Sequence, residues 1–176
     1  MKIKIVKVNE EEAYKYAELK IQIWNTCYNK ILPKEYLDNI SVCQKAKKYQ
    51  NEIIYDSSVV YYFILASTTP IGVLRLNFFK NTVLENGICI NDLYLLKEYQ
   101  NKGYGGIIFN FILKEALKNN CRFITAWIIE KNMIVRNIIE KLGFKQTSHK
   151  QIHYKTMITL LEYCYDLYDR PKLLIR

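Results

Sequence analysis

The chain has few glycines and prolines, no cysteine pair with metal-ligand spacing and no long hydrophobic run. It contains six glycines, three prolines and five cysteines in 176 residues. The cysteines lie scattered in apolar segments without a CxxC pair, which argues against a zinc ribbon or a redox motif and favours reduced thiols. They are Cys27, Cys43, Cys89, Cys121 and Cys164. The longest apolar run, 59–66, is far too short to span a bilayer, so we expect no membrane association.

The first twelve residues alternate lysine with apolar side chains and hold no continuous hydrophobic block. This pattern is typical of a strand and not of a secretory signal peptide. Together with the reduced thiols, it predicts a cytoplasmic protein.

Basic residues outnumber acidic ones by 26 to 17, which gives a formal net charge of +9. Hydrophobic residues make up 50% of the chain and charged residues 24%, a composition typical of soluble globular proteins. The length is sufficient for one domain with a full core. The positive field favours anionic partners, which include a phosphorylated cofactor, nucleic acid and a membrane surface, without choosing among them.

Hydrophobic periodicity predicts strands and helices along one domain, without an internal repeat or an interdomain linker. Strands are predicted at 2–8, 59–66, 71–79, from 88, and at 122–129, 144–154 and 157–167, and helices from 9 to 33 and at 41–55, 107–117 and 132–142. This order predicts an α/β (mixed α+β) fold: a mixed, mostly antiparallel, twisted sheet of about seven strands with helices on both faces. Residues 1–167 form the expected domain and 168–176 a C-terminal tail.

Residues 88–119 are the organising stretch, because three of the six glycines fall between its strand and its helix. Glycines let the backbone approach a ligand, and the first N–H groups of a helix have no intrahelical acceptor, so such a turn can bind an anion. The turn is not a Walker loop, since no Lys-Ser/Thr follows, and not a dinucleotide fingerprint, since residue 108 is isoleucine. The pattern alone leaves a phosphate site and a merely tight turn both open.

The surrounding residues carry a family resemblance. Residues 100–105, QNKGYG, fit the pattern Q/R-x-x-G-x-G/A and resemble the pyrophosphate loop of the GNAT superfamily of N-acetyltransferases. Residues 93–95, LYL, resemble that family's LYV segment, and 132–144, NMIVRNIIEKLGF, resemble its second signature. The pattern W…Y…LP..YL, which starts at Trp24, is similar to the first-helix region of many bacterial members. The resemblance covers residues 1–167.

The resemblance implies an acetyl-CoA-dependent N-acetyltransferase that moves an acetyl group directly to an amine. Backbone amides of the loop would hold the pyrophosphate, the strand before it would pair with the pantetheine arm, and Asn132 would line the same channel. The implied cofactor-binding residues are Leu93, Tyr94, Leu95, Gln100, Asn101, Lys102, Gly103, Tyr104, Gly105, Gly106 and Asn132. Trp24 and Tyr28 would border the site of the acceptor, a small-molecule or peptide amine.

Two positions depart from the family pattern. The general base of many members, a Glu eleven residues before the loop's Gln, is Cys89 here, and the frequent general acid, a Tyr, is Ile139. A buried thiol resists ionisation and isoleucine has no proton to give. Without a strong base, an acceptor amine of low pKa is easier to acetylate, because more of it is already neutral. An α-amine with a pKa of about 8 is neutral in roughly a tenth of molecules near pH 7, whereas a lysine-type amine is neutral in well under about a thousandth.

Asp92 and Tyr94 are therefore the predicted catalytic residues, with the phenols of Tyr28 and Tyr104 as further candidate proton carriers. Our hypothesis is that Asp92 relays the amine proton through water. His149 and His153 fall on one side of a strand but lack a nearby third ligand, so no metal site is predicted.

Two other functions stay open at this point. One is a CoA-binding module that has lost its chemistry, favoured by Cys89 and Ile139. The other is acetylation or binding of an RNA-linked aminoacyl substrate such as aminoacyl-tRNA, which the net charge favours although no basic motif interleaved with aromatic residues supports it. The sequence also leaves the oligomeric state open, with a homodimer among the alternatives.

Overall fold

The computed structural model describes residues 2–80 and 86–169. The predicted tail from residue 170 onward and positions 81–85 of the predicted loop lie outside these residues. The strands are β1 (Ile3–Lys7), β2 (Val59–Ala66), β3 (Thr69–Phe79), β4 (Gly87–Leu95), β5 (Phe123–Ile129), β6 (Lys145–His153) and β7 (Ile158–Asp166). The helices are α1 (Ala13–Cys27), α2 (Lys34–Asp38), α3 (Val42–Tyr55), α4 (Tyr104–Lys118) and α5 (Met133–Lys141), with short 3₁₀ turns at Glu10–Glu12 and Lys97–Tyr99.

The seven strands form one mixed sheet in the order β1-β2-β3-β4-β5-β7-β6. Only the central β4–β5 pair is parallel, and the other neighbouring pairs are antiparallel. The parallel pair needs a long crossover, which α4 supplies. The predicted fold class is confirmed.

Helices cover both faces of the sheet, as predicted. On one face α1 and α3 pack against Tyr61, Phe63 and Val73, and on the other α4 packs against Ile64, Leu74 and neighbouring strand residues. Because β2 is covered on both sides, its residues are nearly all apolar.

The sheet opens between β4 and β5. Their pairing runs only from Gly87↔Phe123 to Ile90↔Ala126, although β4 continues to Leu95 and β5 to Ile129. On its other side, β4 carries a bulge at Asn91, since Leu76 faces Ile90 while Arg75 faces Asp92. A bulge bends its strand and increases the local twist, which is consistent with the separation of β4 from β5.

The helix α4 differs from the sequence prediction at its start and on its surface. It begins at Tyr104, three residues earlier than predicted, because Gly105 and Gly106 form part of its first turn. The predicted solvent stripe of Asn110, Lys114 and Lys118 was incomplete, since Ile107 and Leu117 are also about half exposed.

Candidate active site

The gap between β4 and β5 opens into a cavity of about 170 Å³ that α4 and α5 close from one side. Its wall is mostly apolar, with phenol and amide groups from Tyr28, Asn91, Tyr94 and Asn132. Five predicted site residues come together in this wall: Tyr28, Leu93, Tyr94, Gly105 and Asn132. A narrow apolar channel with few polar groups suits a long, flexible ligand whose orientation those groups fix.

The glycine turn stands beside this cavity, at the N-terminus of α4. Gly103 has φ of 79°, in the left-handed region that favours glycine, and it directly precedes the first helical residue. An added Cβ at Gly105 or Gly106 would meet no atom of the described residues within 4 Å. Packing within the protein therefore does not require glycine at these two helical positions, where glycine costs stability relative to alanine. They leave the backbone of this turn accessible from outside the protein.

The loop before the helix is held to the end of β4. The Gln100 side chain donates from Nε2 to the carbonyl oxygen of Leu95 over 2.9 Å and contacts Cys27 Sγ at 3.2 Å. Asn101 has φ of 58°, and the Lys102 ammonium lies 5.2 Å from the centre of the Tyr99 ring. The side chain of Gln100 thus has a structural partner, and Lys102 is the exposed cation of the turn.

Tyr104 has two separate relations to the site. Its side chain is buried in the core beneath the sheet, which leaves the phenol no place in the cavity wall. Tyr104 is, however, also the first residue of α4, and the backbone N–H groups at a helix start lack intrahelical partners.

Asn132 links α5 to the cavity. Its Oδ1 accepts the N–H of Val135 over 3.2 Å and so caps the helix, as the sequence predicted. Its side chain also interacts with the Tyr28 phenol, which places a residue from the C-terminal end of α1 beside the start of α5.

The two departures from the family pattern remain unsuited to proton transfer. Burial raises the pKa of the Cys89 thiol, which keeps it protonated near neutral pH. Ile139 is buried in the wall of the cavity.

A buried ion pair lies on the other face of β4, behind the cavity. Lys20 Nζ donates to both carboxylate oxygens of Asp92, over 2.7 Å and 2.8 Å, and the Tyr16 hydroxyl donates to the same carboxylate over 3.3 Å. Lys20 is 7% exposed and Asp92 4%. Burial lowers the pKa of Lys20, but Asp92 and Tyr49 together outweigh burial, and the net pKa is raised. Both side chains of the pair are therefore engaged within the protein.

Our sequence reasoning missed Lys20, although a signal was present. The buried residues of α1 include Ala13, Tyr16, Ala17 and Ile23, and position 20 continues their helical spacing. A lysine on the buried stripe of a helix requires a nearby anion, because an unpaired buried charge is very costly.

An aromatic cluster joins this ion pair to the cavity. The Tyr94 ring centre lies 5.9 Å from that of Trp24 and 5.5 Å from that of Tyr28, both nearly perpendicular to it. The Lys20 ammonium sits 4.9 Å from the Trp24 ring centre and 5.9 Å from that of Tyr94. The two predicted acceptor-site residues therefore pack directly against the predicted catalytic Tyr94.

Both phenols of this cluster that line the cavity stay protonated at neutral pH. Burial raises the pKa of Tyr28 to about 12, with smaller contributions from Cys27 and Asp92. Burial and the neighbouring Asp92 also raise the pKa of Tyr94 well above its usual value. Such groups can donate a proton to a stronger base and cannot serve as general bases.

The two histidines form hydrogen bonds within the protein. His149 Nδ1 lies 2.7 Å from Glu162 Oε2, and His153 Nδ1 lies 2.8 Å from Thr156 Oγ1. Within residues 2–80 and 86–169, no group of three or more His, Cys, Asp or Glu side chains is placed to hold a metal ion. In the same part of the chain, no helix is long and apolar enough to cross a membrane.

Comparison with known proteins gives the class and family of this chain, an acetyltransferase. The model of the acetyltransferase (GNAT) family matches residues 21–144, and the chain belongs to this family. The family assignment confirms the predicted GNAT membership and the acetyl donor, acetyl-CoA. A search of curated proteins gives no match.

Solved structures share the fold at low sequence identity. The PaiA N-acetyltransferase from Thermoplasma acidophilum, solved in complex with coenzyme A, has a TM-score of 0.75 at 22% identity, over 94% of this chain and 100% of its own. A probable acetyltransferase from Staphylococcus epidermidis has a TM-score of 0.74 at 13% identity, over 94% and 99%. A mutant of SpeG spermidine N-acetyltransferase from Vibrio cholerae has a TM-score of 0.69 at 15% identity, over 93% of each chain.

Proposed function

We propose that this protein transfers the acetyl group of acetyl-CoA directly to the nitrogen of an amine. The observation that carries the proposal is the coincidence of the β4–β5 gap with the glycine turn at the start of α4. The gap supplies free strand edges beside an apolar channel, and the turn supplies an anion site at its mouth.

The residues present fit acetyl-CoA. The 15-residue helix α4 directs its first N–H groups and the positive end of its dipole toward the turn, where they suit a pyrophosphate. Within the described part of the chain, residues 91–95 have no strand partner on the β5 side, so the backbone of Leu93 to Leu95 can pair with the amide groups of a pantetheine arm. Lys102 adds a positive charge, and Asn132 and Leu93 line the channel. In this assignment Gln100 and Asn101 shape the loop.

Bound acetyl-CoA supplies the thioester carbon that the amine attacks, and the chain contributes the proton donors. Tyr28 lines the same channel as Ile139, the position where the family pattern has tyrosine, and its phenol is protonated. We assign Tyr28 as the group that relays the amine proton to the departing thiolate: its phenol gives its proton to the sulfur as it takes up the one released by the attacking nitrogen. The protonated Tyr94 lies beside it. Tyr28, at the end of α1, would thus take the role that the tyrosine at the position of Ile139 on α5 has in the family pattern.

Asp92 remains a predicted catalytic residue, but its geometry favours a positioning role. Its carboxylate is engaged by Lys20 and Tyr16, and acceptance of a proton would disrupt a buried ion pair. We infer that the pair fixes the Trp24–Tyr94 wall against which the amine and thioester meet. If Asp92→Asn folds normally and leaves kcat and its pH profile unchanged, Asp92 has neither role.

The acceptor in this proposal is an amine of low pKa that binds beside Trp24 and Tyr28. Among the described residues that line the channel, we identify no carboxylate or histidine. An α-amine needs the least help in losing its proton, and proximity to the thioester supplies much of the remaining acceleration. The location in the cytoplasm, a peptide or small-molecule acceptor and a homodimer stay predictions.

Two measurements test the proposal. Coenzyme A at about 100 times its Kd is expected to stabilise the protein by about 2.7 kcal/mol, seen as a rise in Tm. Acetyl-CoA with a panel of α-amines is expected to release free thiol in proportion to acetylated product. Tm stabilisation without thiol release would instead identify a CoA-binding module, the alternative that Cys89 and Ile139 favour. No stabilisation would overturn the proposal.

A further inference from the structure

A second, larger cavity lies between α2, the start of α3 and the turn that joins β6 to β7. Its volume is about 720 Å³, and its lining includes Tyr36, Gln44, Lys45, Lys48, Tyr154 and Lys155. The residues come from three separate elements, so only the tertiary structure brings them together.

This cavity adjoins the aromatic cluster of the candidate active site. The Tyr36 ring, part of the cavity lining, lies 6.3 Å from the Trp24 ring centre, and Trp24 in turn packs on Tyr94. On its far side Tyr36 contacts His153, with 5.8 Å between ring centres. A molecule seated in the cavity thus contacts Tyr36, which packs against Trp24 of the aromatic cluster beside the acetyl-CoA channel.

The lining carries more positive than negative charge, with three lysines and one glutamate, Glu35. Lys48 has an exposed contact with Glu52 at 3.6 Å, whereas Lys45 and Lys155 form no ion pair with any other described residue. Burial lowers the pKa of Lys45, and Lys20, Lys48 and Lys155 lower it further. Burial, Lys45 and Lys155 likewise lower the pKa of His153. Asp92 acts in the opposite direction on Lys45, but burial and the neighbouring lysines prevail, and the net pKa is lowered.

We propose that this cavity binds the anionic part of the acceptor, a carboxylate or phosphate group close to the amine that is acetylated. Lys45 supplies charge from α3 and Lys155 from the turn between β6 and β7. The start of α3, where the Ser41 side chain caps Gln44, adds the positive end of a 14-residue helix. The inference rests on the proposed function and specifies its substrate class.

The same charges disfavour cationic acceptors. A polyamine carries several ammonium groups and would bring them against Lys45 and Lys155, where like charges repel and no described carboxylate except Glu35 lines the cavity. The positive cavity therefore selects amines that carry negative charge.

Binding of matched peptides to the protein saturated with coenzyme A tests the inference without turnover. The probes are the C-terminal amides of Gly-Asp-Asp, Gly-Asn-Asn and Gly-Lys-Lys, with Gly-phosphoserine amide as the phosphate arm and spermidine as the polycation, measured by titration calorimetry. We expect the acidic or phosphorylated peptide to bind about tenfold more tightly than the neutral one, and the cationic peptide and spermidine more weakly still.

Lys45→Met and Lys155→Met should each reduce that preference at least about threefold, since a partly exposed charge contributes up to about 1 kcal/mol. Lys47→Met is the matched control: it removes the same charge from the same helix, but Lys47 lines a different cavity, beside Glu10 and Tyr14. Equal binding of acidic and neutral peptides, or an equal loss in Lys47→Met, would overturn the inference. Loss of coenzyme A binding itself would count against the proposed function instead.

Discussion

The pair of Lys20 and Asp92 is the most consequential arrangement of individual residues in this protein. Both side chains are almost completely buried, and Lys20 donates hydrogen bonds of 2.7 Å and 2.8 Å to the two carboxylate oxygens of Asp92. A buried pair gains little net stability as a pair, but removal of one partner leaves the other charge uncompensated. The pair therefore fixes the relative position of α1 and β4 beside the site.

The first prediction concerns this pair. Lys20→Met should lower the free energy of unfolding by about 3–5 kcal/mol, because Asp92 is left buried and unpaired. The double variant Lys20→Met/Asp92→Leu is the control and should recover most of that loss. Urea denaturation measures both. If the single variant is as stable as the parent protein, the pair is not a buried, charged unit.

The second prediction concerns Tyr28. Tyr28→Phe removes the phenol from the channel and should lower kcat by about 100-fold or more, the usual contribution of a general acid. The Kd for coenzyme A should hardly change, because the ring remains to pack against Tyr94. Steady-state kinetics and calorimetry separate the two effects.

Tyr14→Phe is the control for this variant, since Tyr14 lies on the same helix but is 51% exposed and outside the channel lining. An equal fall in kcat for both variants would indicate a general effect on α1. An unchanged kcat in Tyr28→Phe would assign the proton donor elsewhere.

At the scale of elements, the first turn of α4 contains two glycines that lower helix stability, and the proposed cofactor site gives a reason for them. Gly105 and Gly106 lie in a helix with open space where their Cβ atoms would be. Gly103 differs, because its φ of 79° itself disfavours any other residue. Glycine is thus favoured at Gly103 by the backbone conformation, and at Gly105 and Gly106 by the access that it leaves to the turn.

The third prediction uses that difference. Gly105→Ala should raise the free energy of unfolding by about 0.5–1 kcal/mol, since alanine favours the helix and meets no atom. The same change should weaken coenzyme A binding by about tenfold, or about 1.4 kcal/mol, because the methyl group occupies the ligand's side of the turn. Denaturation and calorimetry measure the two opposite effects.

Asn110→Ala provides the matched control on an exposed position of α4. It should stabilise the helix in the same direction and leave coenzyme A binding unchanged. Unaltered binding in Gly105→Ala would mean that the cofactor does not approach this turn.

At the scale of the whole molecule, the sheet consists of two antiparallel parts joined along a short seam. Strands β1–β4 form one part and β5–β7 the other, and the seam is the parallel pairing from Gly87–Phe123 to Ile90–Ala126. Beyond the seam, the backbones of the two parts face an open channel.

The fourth prediction follows from this architecture. Coenzyme A should slow hydrogen exchange at residues 91–95 and 127–132, on both sides of the channel, because a bound ligand fills the gap and pairs with free backbone groups. The helix α3, whose N-terminal part borders the second cavity, should show no change with coenzyme A alone. Protection confined to one side of the gap would contradict the proposed binding mode.

The sequence by itself determined the family, the fold class and the acetyl donor, and it predicted a cofactor loop at the glycine turn. These rest on local patterns: the alternation of β1, the continuous apolar run of β2, the glycine turn and the Asn132 cap depend on residues close together in the chain. The sequence also predicted that Cys89 and Ile139 are unsuited to acid–base chemistry, because a buried thiol resists ionisation and isoleucine has no proton to give.

Only the tertiary structure decided which distant side chains meet. It paired Lys20 with Asp92, 72 positions apart, and placed Tyr28 beside Asn132 in the channel. It also placed the Tyr104 side chain in the core while its backbone lies at the glycine turn. It brought Lys45 and Lys155 together in the lining of the second cavity. The physical reason is that burial and charge pairing depend on packing between elements, which periodicity and spacing along one element do not encode.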